Sequence, residues 1–311
     1  MSGTVTAVIP TTGTRQDQLL RALESVRLQS YPVIETVIVV DADESATSGV
    51  RALVANLDFP CPVIIDRLVG STGPAAARNR AVELSNGEWV ALLDDDDVWE
   101  SNKLAKQLPW ATARDLDACG TRSTLMTSTG TLIFPRKLLH VGDNVVDYFF
   151  RSPSALRPAA YIATPSLLVR RNLLIAHPFP EQYRILEDYA WLISLYRCGA
   201  RIAVHPETLV RIDEMESPDR QSRRTDPRVV ADWGAKILGD FPGAQANFMA
   251  IFHVRSVAVS EGWASALIAW VRACTSWPPP RLRSAAEGLL MALRPAVFPV
   301  WVQRVLRHIR R

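Results

Sequence analysis

Short apolar runs alternate with longer segments of helical spacing along the first third of the chain. The runs are rich in β-branched residues, which predicts strands at Val5–Ile9, Val33–Val40, Val63–Ile65 and Trp89–Leu93. Apolar positions at helical spacing predict intervening helices at Asp17–Gln29, Gly49–Asn56 and Pro74–Leu84. Strands that alternate with helices pair in parallel, with helices over both faces of the sheet. The pattern therefore predicts an α/β fold with a mostly parallel central sheet.

Polar residues follow three of these predicted strands. Thr11 and Thr12 come after the first strand, Asp41 and Asp43 after the second, and the aspartate run 94–97 after the fourth. In open α/β sheets, ligands bind beyond the carboxyl ends of the strands. We therefore expect these polar side chains to line a single site at one edge of the sheet.

The rest of the chain has a less regular pattern. Residues 116–210 mix short predicted strands with a strong helix candidate at Glu187–Cys198. The polar stretch 213–228 contains two prolines and is predicted to be a mobile loop. The C-terminal part has helical spacing, and in 295–311 apolar residues occupy one helical face and arginines another. We therefore divide the chain into residues 1–115, 116–228 and 229–311.

The composition is that of a globular protein. Of 311 residues, 48% are hydrophobic and 22% are charged, which excludes general disorder. The net charge of +3 comes from 35 basic and 32 acidic residues, and only four of the basic residues are lysines. Seven arginines and one acid lie in residues 281–311, so the remainder of the chain is net negative. No basic surface runs along the whole chain, so we expect no nucleic-acid partner.

The four cysteines lie far apart and form no C-x-x-C pair, which excludes a zinc ribbon and a dithiol redox motif. Scattered thiols are typical of a reducing compartment. The first residues lack a basic segment followed by an apolar stretch, and no apolar run reaches 18 residues. We therefore expect a cytoplasmic protein without a signal peptide or a membrane-spanning helix.

The aspartate run Asp94–Asp97 is the sharpest chemical feature of the sequence. Four consecutive carboxylates directly after an apolar strand repel one another unless a cation binds among them. A solvated acidic turn is the alternative interpretation. A calcium EF-hand is excluded because its positions 5, 6 and 12 would be Val98, Trp99 and Ala105. Mg²⁺ or Mn²⁺, held by one or two carboxylates and by substrate phosphates, fits better.

Together with Val98-Trp99 and Lys103-Leu104, this acidic run resembles the D-x-D-D-x-W…K-L signature of family 2 glycosyltransferases, which have the GT-A fold. Further segments resemble motifs of that family in the correct order: Val8–Thr11, Val39–Asp43, Gly73–Asn79 and Glu187–Tyr189. The resemblance spans residues 5–212. It implies a GT-A domain, a Rossmann-like arrangement with a mostly parallel central sheet flanked by helices, followed by a helical C-terminal region.

The resemblance implies an inverting glycosyltransferase that moves a sugar from a nucleotide-diphosphate sugar, with UDP favoured, to a hydroxyl acceptor. Residues 1–115 would bind the nucleotide sugar and residues 116–228 the acceptor. A divalent cation, Mn²⁺ or Mg²⁺, would stabilise the charge that develops on the diphosphate. Asp96 is the implied metal ligand, and Asp94 is implied to contact the metal or the ribose. The residues implied to bind the nucleotide sugar are Pro10, Thr11, Thr12, Asp41, Asp43, Gly73, Arg78, Asp94 and Asp95.

The same resemblance assigns the catalytic carboxylates to the Glu187-Asp188 pair. An inverting transfer needs one base that takes the proton of the acceptor hydroxyl as the hydroxyl attacks the sugar. Asp188 is the implied general base, and Glu187 would orient the acceptor. The alternative for this pair is a structural one, in which two acids stabilise the start of a helix through its dipole.

Structural alternatives stay open for other residues as well. Asp41 is also consistent with a helix N-cap, and Arg78 with a surface salt bridge. Asn79 is expected to order the local backbone. Many family members carry a Y-R-x-H segment after the E-D helix, whereas residues 210–213 read V-R-I-D here. The complete set of metal ligands is therefore left open.

Other functions compete with this interpretation. The acceptor can belong to polysaccharide or glycolipid assembly, or be a small natural product. A nucleotidyltransferase is disfavoured because residues 11–15 contain one glycine and no lysine, and a non-catalytic binding module is disfavoured by the intact Asp94, Asp96 and Asp188. G-x-G-x-x-G, Walker A and G-x-S-x-G motifs are absent from the sequence.

The basic C-terminal segment 295–311 admits two interpretations. A basic amphipathic helix with aromatic residues on its apolar face is typical of a protein that lies on an anionic membrane. The same face can instead pack on the chain's own core or on a second subunit in a homo-oligomer. The membrane interpretation would place the protein at the inner face of the plasma membrane, where a lipid-linked acceptor would lie.

Overall fold

The chain forms two compact units that are discontinuous in sequence. The computed structural model describes residues 3–70, 72–127, 130–151, 160–213 and 226–293. Unit 1 consists of Met1–Gly142 and Ile162–Met215, and unit 2 consists of Asp143–Tyr161 and Glu216–Arg311. The predicted basic tail at 295–311 and most of the predicted loop at 213–228 lie outside the described residues.

The strands of the described part of unit 1 form a single nine-stranded sheet. They are β1 (Val5–Thr11), β2 (Glu35–Asp41), β3 (Val63–Leu68), β4 (Trp89–Leu92), β5 (Val98–Trp99), β6 (Ala118–Thr127), β7 (Gly130–Phe134), β8 (Leu168–Arg170) and β9 (Ile202–Asp213). Their order across the sheet is β3-β2-β1-β4-β8-β6-β9-β5, and β7 pairs with β6.

Helices cover the sheet in unit 1 and make up most of the described part of unit 2. In chain order they are α1 (Gln16–Arg27), α2 (Glu44–Ala55), α3 (Pro74–Leu84), α4 (Lys103–Ala113), α5 (Val145–Phe150), α6 (Arg171–Ala176), α7 (Glu187–Arg197), α8 (Pro227–Leu238), α9 (Pro242–Phe248), α10 (Val254–Glu261), α11 (Trp263–Thr275) and α12 (Leu282–Leu293). The predicted helical C-terminal region is confirmed by α8 to α12. No helix among the described residues combines the length and the hydropathy that crossing a bilayer requires.

The sheet is parallel in its first half and mixed in its second. The strands predicted from the apolar runs are β1 to β4, and they pair in parallel as expected. Beyond β4, β8 is antiparallel to both β4 and β6, whereas β9 is parallel to β6. Crossover helices between successive strands produce the parallel half. No such repeat follows β5, so the sequence pattern does not predict the mixed half.

The first strand, β1, is buried along its whole length. Val5 and Ile9 lie in one apolar cluster with Leu19 and Leu23 of α1. Each fully buried aliphatic side chain contributes about 1.5–3 kcal/mol relative to an exposed one. This packing holds the carboxyl end of β1, where Thr11 lies, in a fixed place.

Unit 2 has an aromatic core to which α5 contributes. The Phe150 ring lies 6.1 Å from Trp233 and 5.6 Å from Phe248, in edge-to-face contacts. Asn247 Nδ2 donates a hydrogen bond of 3.0 Å to the carbonyl of Phe150. The segment around α5 therefore belongs with the C-terminal helices, which the sequence pattern does not indicate. The division into donor-binding and acceptor-binding parts at residues 115 and 228 stays a prediction.

Candidate active site

The carboxyl ends of β1, β2 and β4 meet at one edge of the sheet, because β1 lies between the other two strands. Thr11 is the last residue of β1, Asp41 is the last of β2, and residues 94–97 follow β4. Thr11 Oγ1 donates a hydrogen bond of 2.6 Å to Oδ2 of Asp95. The structure therefore brings the strand-end residues of β1 and β4 into direct contact.

The four aspartates after β4 divide into an outward and an inward pair. The side chains of Asp94 and Asp96 are 28% and 25% exposed, whereas Asp95 is 2% exposed and Asp97 is buried. The backbone N–H of Asp97 donates to the carbonyl of Asp94 at 3.2 Å, which closes the turn. Asp94 and Asp96 are thus the members of the run that present their carboxylates to the site.

Asp95 connects the acidic turn to the end of β1. Its carboxylate accepts hydrogen bonds from Thr11 Oγ1 and from the Arg15 guanidinium. Burial raises the pKa of Asp95 from 3.8 to about 6, because it outweighs the Thr11 hydrogen bond and the Arg15 charge, which act in the opposite direction. Contact between Asp95 and the nucleotide sugar stays a prediction, since the carboxylate faces β1 in the structure.

Arg15 is a site residue that the sequence reasoning missed. Its Nη1 donates a hydrogen bond of 2.6 Å to Oδ2 of Asp96, and its Nη2 contacts Asp95. The side chain is nearly half-exposed at the edge of the sheet. The one available signal is its position in the polar turn after β1, three residues beyond Thr12. A single arginine in a polar turn matches no sequence motif, so its contact with the acidic turn could not be predicted.

Arg78 of α3 lies between two acidic segments of the site. It is buried, its Nη2 donates a hydrogen bond of 2.8 Å to Oδ1 of Asp94, and its Nη1 lies 3.3 Å from Oε1 of Glu187. Burial lowers the pKa of the guanidinium, but the charges of Asp94, Glu187 and Asp188 reverse this effect and hold the pKa above its ordinary value. The interpretation of Arg78 as a surface salt bridge is therefore wrong, because the residue is inside the protein. Arg78 joins the turn after β4 to the start of α7.

Glu187 and Asp188 occupy the first turn of α7, as predicted. Oδ1 of Asp188 accepts a hydrogen bond of 2.8 Å from the backbone N–H of Tyr189. The preceding Leu186 has φ +56°, in the left-handed region that non-glycine residues rarely adopt. A left-handed conformation costs a non-glycine residue about 1–2 kcal/mol. The strained residue directly precedes the acidic pair, and strain of this kind clusters at functional sites.

Asp41 holds the loop that leads into α3. Its Oδ1 accepts hydrogen bonds from the N–H and the hydroxyl of Thr72, at 2.9 and 3.1 Å, and its Oδ2 accepts from the N–H of Gly73 at 2.7 Å. Gly73 has φ +98°, a conformation in which a side chain would be strained. Asp41 therefore supports the start of the helix that carries Arg78, and it does not cap the helix that follows β2.

The other residues predicted to bind the nucleotide sugar lie near the same edge. Asp43 caps α2, because its Oδ1 accepts a hydrogen bond of 2.9 Å from the N–H of Ala46. Pro10 is buried within β1. Thr12 is exposed in the turn after β1, and its hydroxyl lies 2.8 Å from that of Thr14. Thr12 is thus open to a ligand, whereas Pro10 belongs to the sheet.

Asn79 orders the local backbone, as expected. Its side-chain amide donates to the carbonyl of Phe179 at 2.9 Å and accepts from the N–H of the same residue at 2.8 Å. The Arg78 guanidinium lies 5.5 Å from the centre of the Phe179 ring. Asn79 therefore fixes the residue against which Arg78 packs.

A fully buried lysine follows the acidic turn. Lys103 Nζ donates a hydrogen bond of 2.7 Å to Oε1 of Gln107 and lies 4.3 Å from the centre of the Trp99 ring. Gln107 in turn donates to the carbonyls of Cys119 and Ser166. Burial lowers the pKa of Lys103 from 10.5 to about 7. None of the Lys103 side chain is exposed, so this residue packs inside the protein and is not open to a ligand.

The acidic residues fit a cation that binds together with its substrate. Within the ranges that the structure describes, no group of three or more His, Cys, Asp or Glu residues is arranged to hold a metal ion. Asp94 and Asp96 present two partly exposed carboxylates, and Mg²⁺ usually takes one or two carboxylates, with substrate phosphates and waters as its other ligands. Asp213 stays a predicted further candidate, because the structure describes its backbone but not its side chain. These carboxylates would hold the ion with the diphosphate.

Comparison with solved structures shows the fold. S. aureus TarS 1-349 in complex with UDP-GlcNAc matches with a TM-score of 0.62 at 18% identity, over 97% of this chain and 87% of that chain. The mannosyltransferase PcManGT from Pyrobaculum calidifontis, in complex with GDP-Man and Mn²⁺, matches with a TM-score of 0.61 at 18% identity, over 98% and 85% of the two chains. Both have the GT-A fold, so the predicted fold is confirmed.

Comparison of sequences identifies the family. The chain is 32% identical over 202 residues to the succinoglycan biosynthesis protein ExoO of Rhizobium meliloti (strain 1021), which covers 61% of this chain and 55% of that protein. The chain spans about half the length of the curated relatives that it matches. The family model described as glycosyl transferase family 2 matches residues 6–174. Because this match covers more than half of the chain and includes Asp41, Arg78 and the acidic turn, the chain belongs to glycosyl transferase family 2.

Proposed function

We propose that the protein is an inverting glycosyltransferase that moves a sugar from a nucleotide-diphosphate sugar to a hydroxyl acceptor. The observation that carries the proposal is the double ion pair of Arg78 with Asp94 and Glu187. It joins the residues predicted for the donor to the acids predicted for catalysis. The family membership and the nucleotide-sugar complexes of the structural neighbours support this donor class, and UDP-sugars are favoured.

The donor is proposed to lie along the edge formed by the ends of β1 and β2. Thr12 is exposed there, and Asp41 would accept an N–H of the nucleotide base. A carboxylate oxygen accepts up to two hydrogen bonds, so Oδ2 of Asp41, which receives one from Gly73, keeps capacity for a second. The base would therefore rest against the loop that Asp41 holds.

Asp94 and Asp96 are proposed to hold Mn²⁺ or Mg²⁺ together with the diphosphate. Such an ion, when bound, stabilises the negative charge that develops on the leaving diphosphate. Arg15 shares the Asp96 carboxylate in the structure. Arg78 keeps its positive charge beside Asp94, because its pKa lies above the ordinary value. Two arginines thus pair with the acidic turn, Arg15 with Asp95 and Asp96 and Arg78 with Asp94.

Asp188 is proposed as the general base and Glu187 as the residue that orients the acceptor. Glu187 is engaged by the Arg78 guanidinium, and Asp188 lies close enough to that guanidinium to raise its pKa. The acceptor oxygen would attack the anomeric carbon while its proton passes to Asp188, and the diphosphate would leave from the opposite face. This sequence inverts the configuration at the sugar and needs no nucleophile from the protein.

The setting is proposed to be polysaccharide or glycolipid assembly, because the relatives include a succinoglycan biosynthesis protein. A lipid-linked acceptor at the cytoplasmic face of the membrane fits that setting. The protein would act there as a peripheral enzyme.

The test measures release of nucleotide diphosphate by the full chain from UDP-sugars and GDP-sugars, with a panel of hydroxyl acceptors, in Mn²⁺ and in EDTA. We expect acceptor-dependent release that requires the ion, and a loss of about 100-fold or more in Asp188→Asn. Asp58→Asn, an exposed change in the turn before β3, is the matched control and should keep full activity.

Each part of the proposal has its own contrary result. Undiminished turnover in Asp188→Asn would overturn the base assignment. Retention of the anomeric configuration would overturn the inverting mechanism. Release of sugar 1-phosphate in place of a nucleotide diphosphate would identify transfer of the nucleotidyl group, as a nucleotidyltransferase performs it.

A further inference from the structure

Helix α11 of unit 2 turns an apolar face to solvent. Trp263 and Ile268 are 61% and 57% exposed, and Val271 is about half exposed. Ala266 and Ala273 are buried on the other side of the helix. Successive residues of an α-helix are about 100° apart, so Ile268 and Val271 share one face, opposite the two alanines, and Trp263, the first residue of α11, lies at the edge of that face. An outward helix face normally carries polar and charged residues, so an apolar one indicates a contact surface.

The charges in and beside α11 are mostly basic, and Glu261, the last residue of α10, is an exposed acid next to the helix. The sequence 262–286 contains no Asp or Glu, and its charged residues are Arg272, Arg281 and Arg283. Arg272 is exposed on α11 itself. The acid that follows, Glu287, is buried and pairs with Arg283 at 3.0 Å. An apolar face beside which exposed arginines outnumber exposed acids is complementary to an anionic surface.

Apolar exposure continues in the segment between α11 and α12. Trp277 in this segment is 92% exposed, and Leu282, the first residue of α12, is also largely exposed. Tryptophan rings are enriched at the boundary between hydrocarbon and water, where an apolar body and a polar N–H are both accommodated. Two exposed tryptophans beside arginines therefore favour a lipid surface over a protein partner, whose interface would require complementary acids.

We propose that the α11 face, formed by Trp263, Ile268 and Val271 with Arg272 at its edge, is a contact surface for anionic lipid bilayers. The apolar side chains would enter the boundary between headgroups and acyl chains, and the arginines would meet lipid phosphates. A membrane contact through this face of unit 2 requires neither the basic tail nor the proposed transferase activity.

The test is co-sedimentation of the full chain with phosphatidylcholine vesicles that contain or lack phosphatidylglycerol. We expect binding to the anionic vesicles, and a partition coefficient about tenfold or more lower when Trp263, Ile268 and Val271 are all changed to serine. Arg272→Gln should lower it about fivefold, the effect of one arginine at an anionic surface. Ile133→Ser, which changes an exposed isoleucine of β7, is the control and should bind as the wild type does.

Four outcomes would overturn the proposal. Equal sedimentation of the triple variant and the wild type would place any membrane contact elsewhere in the chain. Equal binding to vesicles with and without phosphatidylglycerol would show that anionic lipid is not required. A change from dimer to monomer in the triple variant, measured by light scattering, would assign the face to a second copy. A clearly lower melting temperature of the triple variant would show that the face packs against the chain itself.

Discussion

Nη1 of Arg15 lies 2.6 Å from Oδ2 of Asp96, the carboxylate proposed as the main ligand of the divalent cation. The guanidinium and the cation compete for the same oxygen. We expect Arg15→Gln to tighten Mn²⁺ binding to the nucleotide-free protein by up to about fivefold, which corresponds to about 1 kcal/mol for a partly exposed ion pair. Mn²⁺ titration followed by electron paramagnetic resonance measures this change.

The control for this experiment is Arg27→Gln, which removes a partly exposed pair with Glu24 on α1 and should leave Mn²⁺ binding unchanged. Weaker Mn²⁺ binding in Arg15→Gln would contradict the competition. It would mean that Arg15 helps to hold Asp96 in place for the ion.

Replacing Arg78 with methionine is expected to destabilise the fold. Asp94 and Glu187 would lose the positive charge with which both are paired. Partly buried carboxylates without a partner should lower the free energy of unfolding by about 2–4 kcal/mol. Arg80→Met on the same helix removes a partly exposed pair with Asp66 and should cost less than about 1 kcal/mol. Urea unfolding of both variants measures the difference, and equal costs would show that Arg78 has no special place in the site.

The buried carboxyl of Asp95 makes stability depend on pH. Its pKa is raised from 3.8 to about 6, so the folded state keeps a proton that the unfolded state has lost within this interval. Stability should therefore fall as the pH rises through the interval, by on the order of 3 kcal/mol, and stay lower above it. Asp95→Asn keeps an oxygen for Thr11 and has no charge to bury, so it should lack this fall.

Urea unfolding at pH values below, within and above this interval tests the Asp95 prediction. Asp58→Asn is the control and should keep the pH profile of the wild type. Parallel profiles of the wild type and Asp95→Asn would contradict the assignment of the effect to this carboxyl.

Lys103 should produce a pH dependence of the opposite sign. Its pKa is lowered from 10.5 to about 7, so the unfolded state holds a proton that the folded state has lost between these values. Stability should therefore rise with pH through this window. Lys103→Met should abolish the rise, whereas Lys106→Met, a change at a partly exposed lysine paired with Glu207, should retain it. A rise that persists in Lys103→Met, measured by urea unfolding, would assign it to another group.

Part of the fold and of the candidate site could be predicted, because the sequence patterns that indicate it lie within short segments of the chain. The apolar runs of β1 to β4 and the helices between them repeat along the chain, and a parallel sheet brings the polar strand ends to one edge. The prediction of the acidic turn and of Asp41 at strand ends depends on the same local order, whereas the role of the E-D pair at the start of α7 was implied by the resemblance to the family. The mixed half of the sheet has no such repeat, because β6, β8 and β9 pair across long stretches of chain.

By itself, the sequence determined the α/β class, the edge at which ligands would bind and the order of the acidic segments, because these follow from spacing over a few residues. Only the tertiary structure decided that Asp94 and Asp96 face outward while Asp95 faces β1. It also decided the ion pairs of Arg78, which the resemblance had singled out, and it brought Arg15, which no motif indicates, to the acidic turn. Ion pairs depend on distances between residues far apart in the chain, and those distances exist only after the sheet and its helices have packed.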